Sequence, residues 1–196
     1  MCRHWDRWDE GEYRHIFIAE LTSGGIGKGV DIIGEGAEWD TPLAPYFDMS
    51  EIAWAPDGTR LAYTCKPLTG AKYAVSTDSD IFSSMTRRQA PRPTSARDSP
   101  PSPVTMRQPK TELPFVGYDK YPVFSPDGTK IAFRSQRRAG NEADKERLMV
   151  WNSETGLVKE LTKNFDYNAT NVIWDGSEAL WFLAPMELRT SSAAWT

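Results

Sequence analysis

The 196-residue sequence is poor in the features on which several protein classes depend. Its two cysteines, Cys2 and Cys65, are too few for a disulfide framework; two free thiols are favoured, and a single disulfide stays possible. No apolar run approaches the roughly 18 residues of a membrane span. The opening residues MCRHWDRWDEGEY contain no apolar segment of signal-peptide type. We therefore expect neither a transmembrane segment nor a signal peptide, and the sequence alone indicates no compartment.

Clustered positive charge is scarce as well. The chain has 23 Lys and Arg against 27 Asp and Glu, and its one arginine-rich run, residues 87–97, has no interleaved aromatic residue. Because phosphate binding depends on clustered cations, we expect no nucleic-acid partner. The glycine-rich residues 24–29 lack the spacing of a phosphate loop and favour a hairpin turn. No group of acidic residues has the spacing of a metal-binding loop, so we expect no metal and no cofactor.

The chain also lacks the parts of a hydrolytic triad. It contains no G-x-S-x-G sequence, which in many hydrolases holds the nucleophilic serine on a strand-to-helix turn. In such hydrolases the histidine base follows the serine in the sequence. The two histidines here, His4 and His15, lie near the start of the chain, ahead of any candidate serine. No strand–helix–strand pattern follows them. The sequence therefore predicts no catalytic residues within this chain.

What the sequence does contain is a repeated hairpin. Residues 52–65 (IAWAPDGTRLAYTC), 122–135 (PVFSPDGTKIAFRS) and 172–185 (VIWDGSEALWFLAP) each read as a strand, an Asp-Gly turn and a second strand. Proline presets φ at the first central turn position, aspartate accepts local backbone hydrogen bonds, and glycine tolerates positive φ. The predicted turn residues are Pro56, Asp57, Gly58, Pro126, Asp127, Gly128, Asp175 and Gly176.

The spacing of the hairpins indicates the architecture. The turn aspartates lie 70 and 48 residues apart, and further strand–turn–strand patterns occupy residues 15–33 and 147–162. Four short strands in 40–50 residues are typical of propeller blades. We therefore predict an all-β fold, a partial β-propeller of about two to three four-stranded blades, with an irregular β-sandwich as the alternative. Residues 71–82 read as the approach to a strand, and no helix of useful length is predicted.

These hairpins resemble a known repeat. FSPDGTKIAF and AWAPDGTRLAY are similar to the PD40-type, WD40-like repeat of TolB-like propellers. Residues 3–82 and 116–185, with the opening RHWDRW and the loop NEADKER, resemble the N-terminal propeller of bacterial S9-family, prolyl-oligopeptidase-like serine peptidases. These include dipeptidyl and acylaminoacyl peptidases.

The resemblance implies a function that this chain holds only in part. In the family, a seven- or eight-bladed propeller caps an α/β-hydrolase domain and controls the access of peptide substrates. The hydrolase domain is missing here, so we expect the chain to be inactive alone and its parent to hydrolyse peptides. Glu142 and Asp144 are candidates to contact a peptide's amino terminus, although a solvated loop is the simpler interpretation. The family implies a periplasmic or secreted parent. The alternative function is a stand-alone propeller that binds other proteins.

Residues 83–115, rich in Pro, Arg and Ser, interrupt the pattern. Their composition predicts a disordered insert between the blades of residues 1–82 and the further blade or blades of residues 116–185. A second hypothesis is a change of reading frame, because a shifted reading of the possible codons permits L-Y-D-T-x-T-G-x-x-x-N-L, which is similar to residues 150–161. Sequencing the gene decides between them. Residues 186–196 lack strand alternation and are predicted to be an unstructured tail, either native or out of frame.

Overall fold

The computed structural model describes residues 11–34, 36–44, 46–85 and 116–185. Within them the chain is almost entirely β-structure, with one short helix, α1 (Gly70–Val75), and one 3-10 turn (Met49–Glu51). No helix in the described part of the chain is long and apolar enough to cross a membrane. The strands are β1 (Phe17–Ile18), β2 (Leu21–Thr22), β3 (Gly25–Ile26), β4 (Val30–Asp31), β5 (Ile52–Trp54), β6 (Arg60–Cys65), β7 (Asp80–Met85), β8 (Asp119–Phe124), β9 (Lys130–Ser135), β10 (Arg147–Asn152), β11 (Val158–Glu160), β12 (Thr170–Asp175) and β13 (Ala179–Leu183).

The strands form four antiparallel units in chain order. In the N-terminal hairpin, β1 pairs with β4 and β2 with β3. The turn between β2 and β3 is formed by Ser23 and Gly24, so it takes only the first of the glycine-rich residues 24–29. The first sheet has the order β5-β6-β7, and the second sheet has the order β8-β9-β10-β11. The last hairpin consists of β12 and β13. Each sheet is thus a meander in which neighbours in sequence are neighbours in space.

Tight turns join β5 to β6, β8 to β9 and β12 to β13, where the repeated Asp-Gly pairs lie. Gly58, Gly128 and Gly176 have φ values of 68°, 72° and 59°. This left-handed conformation is costly for residues with a Cβ atom, so the turns depend on glycine. We call this end of the sheets the turn end. The opposite end, with the connections of residues 66–79 and 136–146, is the loop end.

The four units pack face to face in chain order. The N-terminal hairpin lies on one face of the first sheet, where Ile32 and Ile33 contact Leu61 and Tyr63. The other face of the first sheet packs on the second sheet through a buried cluster. That cluster consists of Ala55, Ala62, Ile81, Phe124, Ile131, Phe133 and Met149. The far face of the second sheet carries the last hairpin. Alternating strand residues therefore serve two different cores, as expected of sheets covered on both sides.

The structure confirms the all-β prediction in its coarse form: several small antiparallel sheets and almost no helix. The described strands form no closed ring. One sheet has four strands, whereas the first sheet has three and the last hairpin two among the described residues. Most of the predicted insert (residues 86–115), residues 1–10 and the tail 186–196 lie outside the described residues, while β7 continues to Met85.

Residues 71–82 were predicted to approach a strand, and β7 does begin at Asp80, but α1 (Gly70–Val75) takes the place of an extended chain in the first part of that approach. Ala71, Lys72 and Ala74 are good helix formers. The ammonium group of Lys66 then donates hydrogen bonds to the carbonyl oxygens of Tyr73 and Ser76, at 3.0 and 2.9 Å. Positive charge at the last carbonyl groups stabilises a helix C-terminus. A single half-buried lysine thus favours a turn of helix where the sequence pattern indicates an extended chain.

Candidate functional site

The two predicted substrate contacts lie in the loop 136–146 between β9 and β10, at the loop end. The carboxylate of Asp144 is buried and fully used by its own loop. One oxygen accepts hydrogen bonds from the backbone N–H groups of Arg137 and Arg138, at 3.0 and 3.1 Å, and the other accepts one from Lys145 at 2.9 Å. Burial raises the pKa of Asp144, but these bonds and the Arg138 guanidinium outweigh it, so the pKa lies below the usual value.

Glu142 differs from Asp144 in exposure. Its side chain is open to solvent, and only its backbone carbonyl is held, by a hydrogen bond of 3.2 Å from the side-chain amide of Gln136. The same amide group donates to the carbonyl of Asp144 at 2.8 Å. Gln136 is buried, so the loop is anchored from beneath. The structure thus presents Glu142 on a fixed loop, while it uses Asp144 to build that loop.

The predicted turn residues lie at the other end of the sheets, remote along the strands from Glu142. Asp57 and Asp127 each accept hydrogen bonds from the backbone and hydroxyl groups of the threonine two residues later. Ser125 also donates to Asp127 at 2.6 Å, and these bonds lower the pKa of Asp127. Such local bonds stabilise turns. These hydrogen bonds of the two turn aspartates thus all lie within their own turns.

A basic residue after each Asp-Gly-Thr turn links one sheet to the next. Arg60 at the start of β6 donates to the carbonyl of Gly128 at 2.7 Å. Lys130, at the equivalent position of β9, donates to the carbonyl of Ser177 at 2.8 Å and pairs with Glu178 at 2.5 Å. Each sheet thus holds the turn of its successor. The repeated hairpin in the sequence therefore gives rise to a repeated contact between neighbouring units.

A polar cluster occupies the loop end of the second sheet. Tyr121 has a φ of 60°, and the pairing of β8 with β9 shifts register between Lys120 and Val123. A bulky residue with positive φ is unusual and tends to occur at bulges and functional sites. The bulge brings the Tyr121 ring under the guanidinium of Arg134, 3.7 Å from the ring centroid. The strained backbone therefore positions an aromatic ring against a cation.

Two carboxylates complete this cluster. Glu146 accepts a hydrogen bond from the Tyr118 hydroxyl and another from Arg134, both at 2.6 Å. Glu51 is buried, lies 3.3 Å from the Lys120 ammonium and accepts a hydrogen bond from the backbone of Leu43 at 2.8 Å. Burial raises the pKa of Glu51 above its usual value. The cluster thus combines two partly buried acid–base pairs with phenol groups at the loop end.

The repeat relates three positions at this end. Glu51, Tyr121 and Asn171 each directly precede a copy of the repeated hairpin. Glu51 ends a 3-10 turn, whereas Tyr121 and Asn171 have φ values of 60° and 50°. β12 also shifts register at this point, between Thr170 and Ile173. These positions were not predicted from the sequence. Extending the alignment of the three hairpins by one residue toward the N-terminus would have included them.

The described residues offer no assembled catalytic group. His15 is the histidine they contain, and its two ring nitrogens lie 2.7 Å from the carboxylate of Asp31 and 3.1 Å from the carbonyl of Ala37. The Ala37 contact ties the N-terminal hairpin to the segment that follows it. No three potential metal ligands come together in the described part of the chain.

Comparison with known proteins finds relatives named dipeptidyl-peptidase 5. No family model matches the chain. Dipeptidyl-peptidase 5 of Porphyromonas gingivalis is 38% identical over 192 residues, which cover 97% of this chain and 25% of that protein. Dipeptidyl-peptidase 5 of Porphyromonas endodontalis is 34% identical over 76% of the chain, and that of Aspergillus fumigatus is 24% identical over 88%.

These matches cover most of the chain but only part of each relative. The chain spans about a quarter of the length of these relatives, 25%, 19% and 24% of each. The 192-residue match covers 97% of the chain and so includes residues 83–115. Whether these residues are a native insert or the product of a changed reading frame stays a prediction. The sequence thus aligns along one portion of a larger protein. The chain is therefore similar to one portion of dipeptidyl-peptidase 5.

Proposed function

We propose that this chain is a section of a β-propeller that controls the access of peptides to the active site of an S9-like, prolyl-oligopeptidase-type dipeptidyl peptidase. It contributes no catalytic group itself. The parent hydrolyses peptides with an α/β-hydrolase domain that lies outside residues 1–196. The parent is an exported protein, periplasmic or secreted, as the resemblance to the family implies.

One observation carries this proposal: the successive stacking of antiparallel meanders, each tied to the next by an equivalent basic residue. Arg60 reaches the turn of the second sheet, and Lys130 reaches the turn of the last hairpin. A propeller is built by repetition of such units around an axis. The similarity to dipeptidyl-peptidase 5 supports the class of parent protein. Together they favour a scaffold role over a catalytic one.

Within this role, Glu142 is the better of the two proposed substrate contacts. Its carboxylate is exposed on a loop that Gln136 and Asp144 hold in place. Asp144 has both oxygens occupied by backbone donors. A free carboxylate on a fixed loop can pair with the protonated amino terminus of a peptide, whereas an occupied one would first have to release its loop.

A chimera tests the proposal. We would replace the matching stretch of P. gingivalis dipeptidyl-peptidase 5 with residues 116–185 and assay hydrolysis of dipeptidyl substrates. We expect the chimera to keep hydrolysis, a deletion of the same stretch to lose it, and the isolated chain to have none. In the chimera, Glu142→Ala should raise KM with little change in kcat. Glu154→Ala, an exposed carboxylate in the β10–β11 turn, is the matched control.

Two outcomes would contradict the proposal. One is hydrolysis by the isolated chain that persists through rigorous purification. The other is a folded chimera without activity, which would favour the alternative of a stand-alone propeller for protein binding. The DNA that follows codon 196 gives an independent check, because a G-x-S-x-G sequence within an α/β pattern is expected there for a peptidase and not for a binding module.

A further inference from the structure

The first and second sheets are joined at the loop end by hydrogen bonds between residues that are distant in sequence. The backbone N–H group of Asp119, at the start of β8, donates to the carbonyl of Ser79 at 2.8 Å, and the Ser79 hydroxyl donates to the carbonyl of Asp119 at 3.2 Å. The backbone N–H group of Gly140 donates to the Thr77 hydroxyl at 2.9 Å. The connection before β7 is thus bonded both to β8 and to the loop 136–146. We call this set of bonds the loop-end contact.

The carboxyl group of Asp119 is placed unfavourably for a charge. Its Oδ1 atom is buried and has no hydrogen-bond partner among the described residues. Ser79, which is bonded to the Asp119 backbone, lies between Asp78 and Asp80 in the sequence, so two further carboxyl groups flank the contact. An ionised carboxylate out of water needs a compensating partner, and two like charges nearby oppose its ionisation further.

The surroundings of this carboxyl group therefore favour its neutral form. Burial raises the pKa of Asp119 well above the ordinary value of 3.8, and the carboxylates of Asp80 and Asp78 raise it further. The Ser135 hydroxyl, which donates a hydrogen bond to the carboxylate, lowers the pKa but does not outweigh burial. Asp119 thus holds a proton at pH values where exposed aspartates are ionised.

The cations around the loop-end contact have other partners or lie in solvent. Four of them form ion pairs with carboxylates, namely Lys120 with Glu51, Arg134 with Glu146, and Arg138 and Arg147 with Asp144. Lys66 donates to two carbonyl groups, and Arg137 is exposed. The described residues also bring no three potential metal ligands together. In this part of the chain, a proton is therefore the cation that neutralises Asp119.

We propose that Asp119 makes the loop-end contact a pH-sensitive switch. With its proton bound, the neutral carboxyl group stays buried and the contact is closed. When the O–H bond breaks and the proton passes to water, the carboxylate moves into solvent and the contact opens. The opening includes the bond between Thr77 and Gly140, so it reaches the loop that carries Glu142. The switch does not depend on the role proposed for Glu142.

The direction of the pH response follows from the two states of the contact. In the open state the carboxyl group of Asp119 is hydrated and ionises with the ordinary pKa of 3.8, whereas in the closed state it keeps its proton to higher pH. Between these two pKa values opening releases a proton, so the equilibrium constant for opening rises about ten-fold per pH unit. The loop-end contact is therefore fully stable below pH 3.8 and opens more readily as pH rises toward the folded pKa.

Amide hydrogen exchange, measured by NMR on the full chain, tests the switch. Where closing is faster than exchange, the protection of an amide reports the equilibrium constant for its opening. After correction for the intrinsic exchange rate, we expect the protection of the Asp119 and Gly140 amides to fall about ten-fold per pH unit from about pH 4.5 to about pH 6. The Gly128 amide, which donates to the carbonyl of Ser125 at the turn end, is the internal control and should keep its protection.

Substitutions separate the Asp119 carboxyl group from other titrating groups. Asp119→Asn cannot ionise, so the protection of the Gly140 amide should not change with pH in this variant. Asp166→Asn replaces an exposed aspartate in the connection from β11 to β12 and is the matched control, which should keep the slope of the parent chain. The carboxyl group can also be observed without substitution. In carbon-13 NMR, the Asp119 carboxyl carbon, assigned from its backbone, should have the chemical shift of a protonated acid at about pH 6.

Three results would overturn the proposal. The first is an Asp119 carboxyl group that is ionised at about pH 6 in the folded chain. The second is the same pH slope of protection at Gly140, including no slope, in Asp119→Asn and in the parent chain. The third is an equal loss of protection at Gly128, because the whole chain would then open rather than the loop-end contact alone.

Discussion

Replacement of Asp144 by alanine should destabilise the fold more than any other change in the loop 136–146. The substitution removes the acceptor of three backbone N–H groups and two nearby arginine partners. Hydrogen bonds to a charged group contribute about 1.5–3 kcal/mol each, but water can reach the exposed residues Arg137 and Arg138 after the change. We therefore expect a loss of about 3 kcal/mol in the free energy of unfolding.

Urea unfolding followed by tryptophan fluorescence measures this loss, with an unchanged m-value as the sign that only stability differs. Asp144→Asn keeps one acceptor oxygen and should cost about 2 kcal/mol, while Glu142→Ala should stay within about 0.5 kcal/mol of the parent. The folded pKa of Asp144 is lowered, so its contribution is present above the ordinary value of 3.8 and is lost as pH falls below it. Equal effects of Asp144→Ala and Glu142→Ala would refute this account of the loop.

Three further changes have defined outcomes. Gly117→Ala places a Cβ atom 2.5 Å from the backbone oxygen of Gln136 and should lower the free energy of unfolding by about 2–3 kcal/mol in urea titrations, whereas Gly24→Ala, with its nearest neighbour at 3.9 Å, should not. Cys65 is buried and free, and burial raises the pKa of its thiol to about 12; in a variant whose other cysteine is serine, iodoacetamide should label it only as the chain unfolds, and rapid labelling of folded protein would contradict its burial. Because the folded pKa of Glu51 is raised, the stability of the parent relative to Glu51→Gln should fall as pH rises above about 4.5, and a flat difference would show that the carboxyl is hydrated.

The sequence could predict the turn end because its chemistry is local. Proline, aspartate and glycine act within four residues of one another, so the turn at Asp57 and Gly58 can be predicted from neighbouring residues alone. Strand alternation around these turns likewise predicts the hairpins of β5–β6 and β8–β9. The resemblance to dipeptidyl peptidases agrees with the relatives found, which the chain matches along about a quarter of their length.

The loop end could not be predicted in the same way, because its contacts join residues that are distant in sequence. Asp144 stands in a run of alternating charges that is typical of a solvated loop, and only the folded chain shows it buried against backbone donors. Likewise, Lys66 directs α1 through carbonyl groups seven and ten residues away. Side-chain spacing alone does not report such bonds.

The two ends also differ in what the repeat keeps. At the turn end, Arg60 and Lys130 make equivalent contacts to the next unit. At the loop end, the three positions that precede the hairpins hold Glu51, Tyr121 and Asn171, which share a break in strand geometry but no side-chain chemistry. A common backbone device with different side chains is what a binding edge needs, because it directs each side chain without fixing what it recognises. The repeat therefore keeps a contact between units at the turn end, whereas at the loop end it keeps only a break in strand geometry.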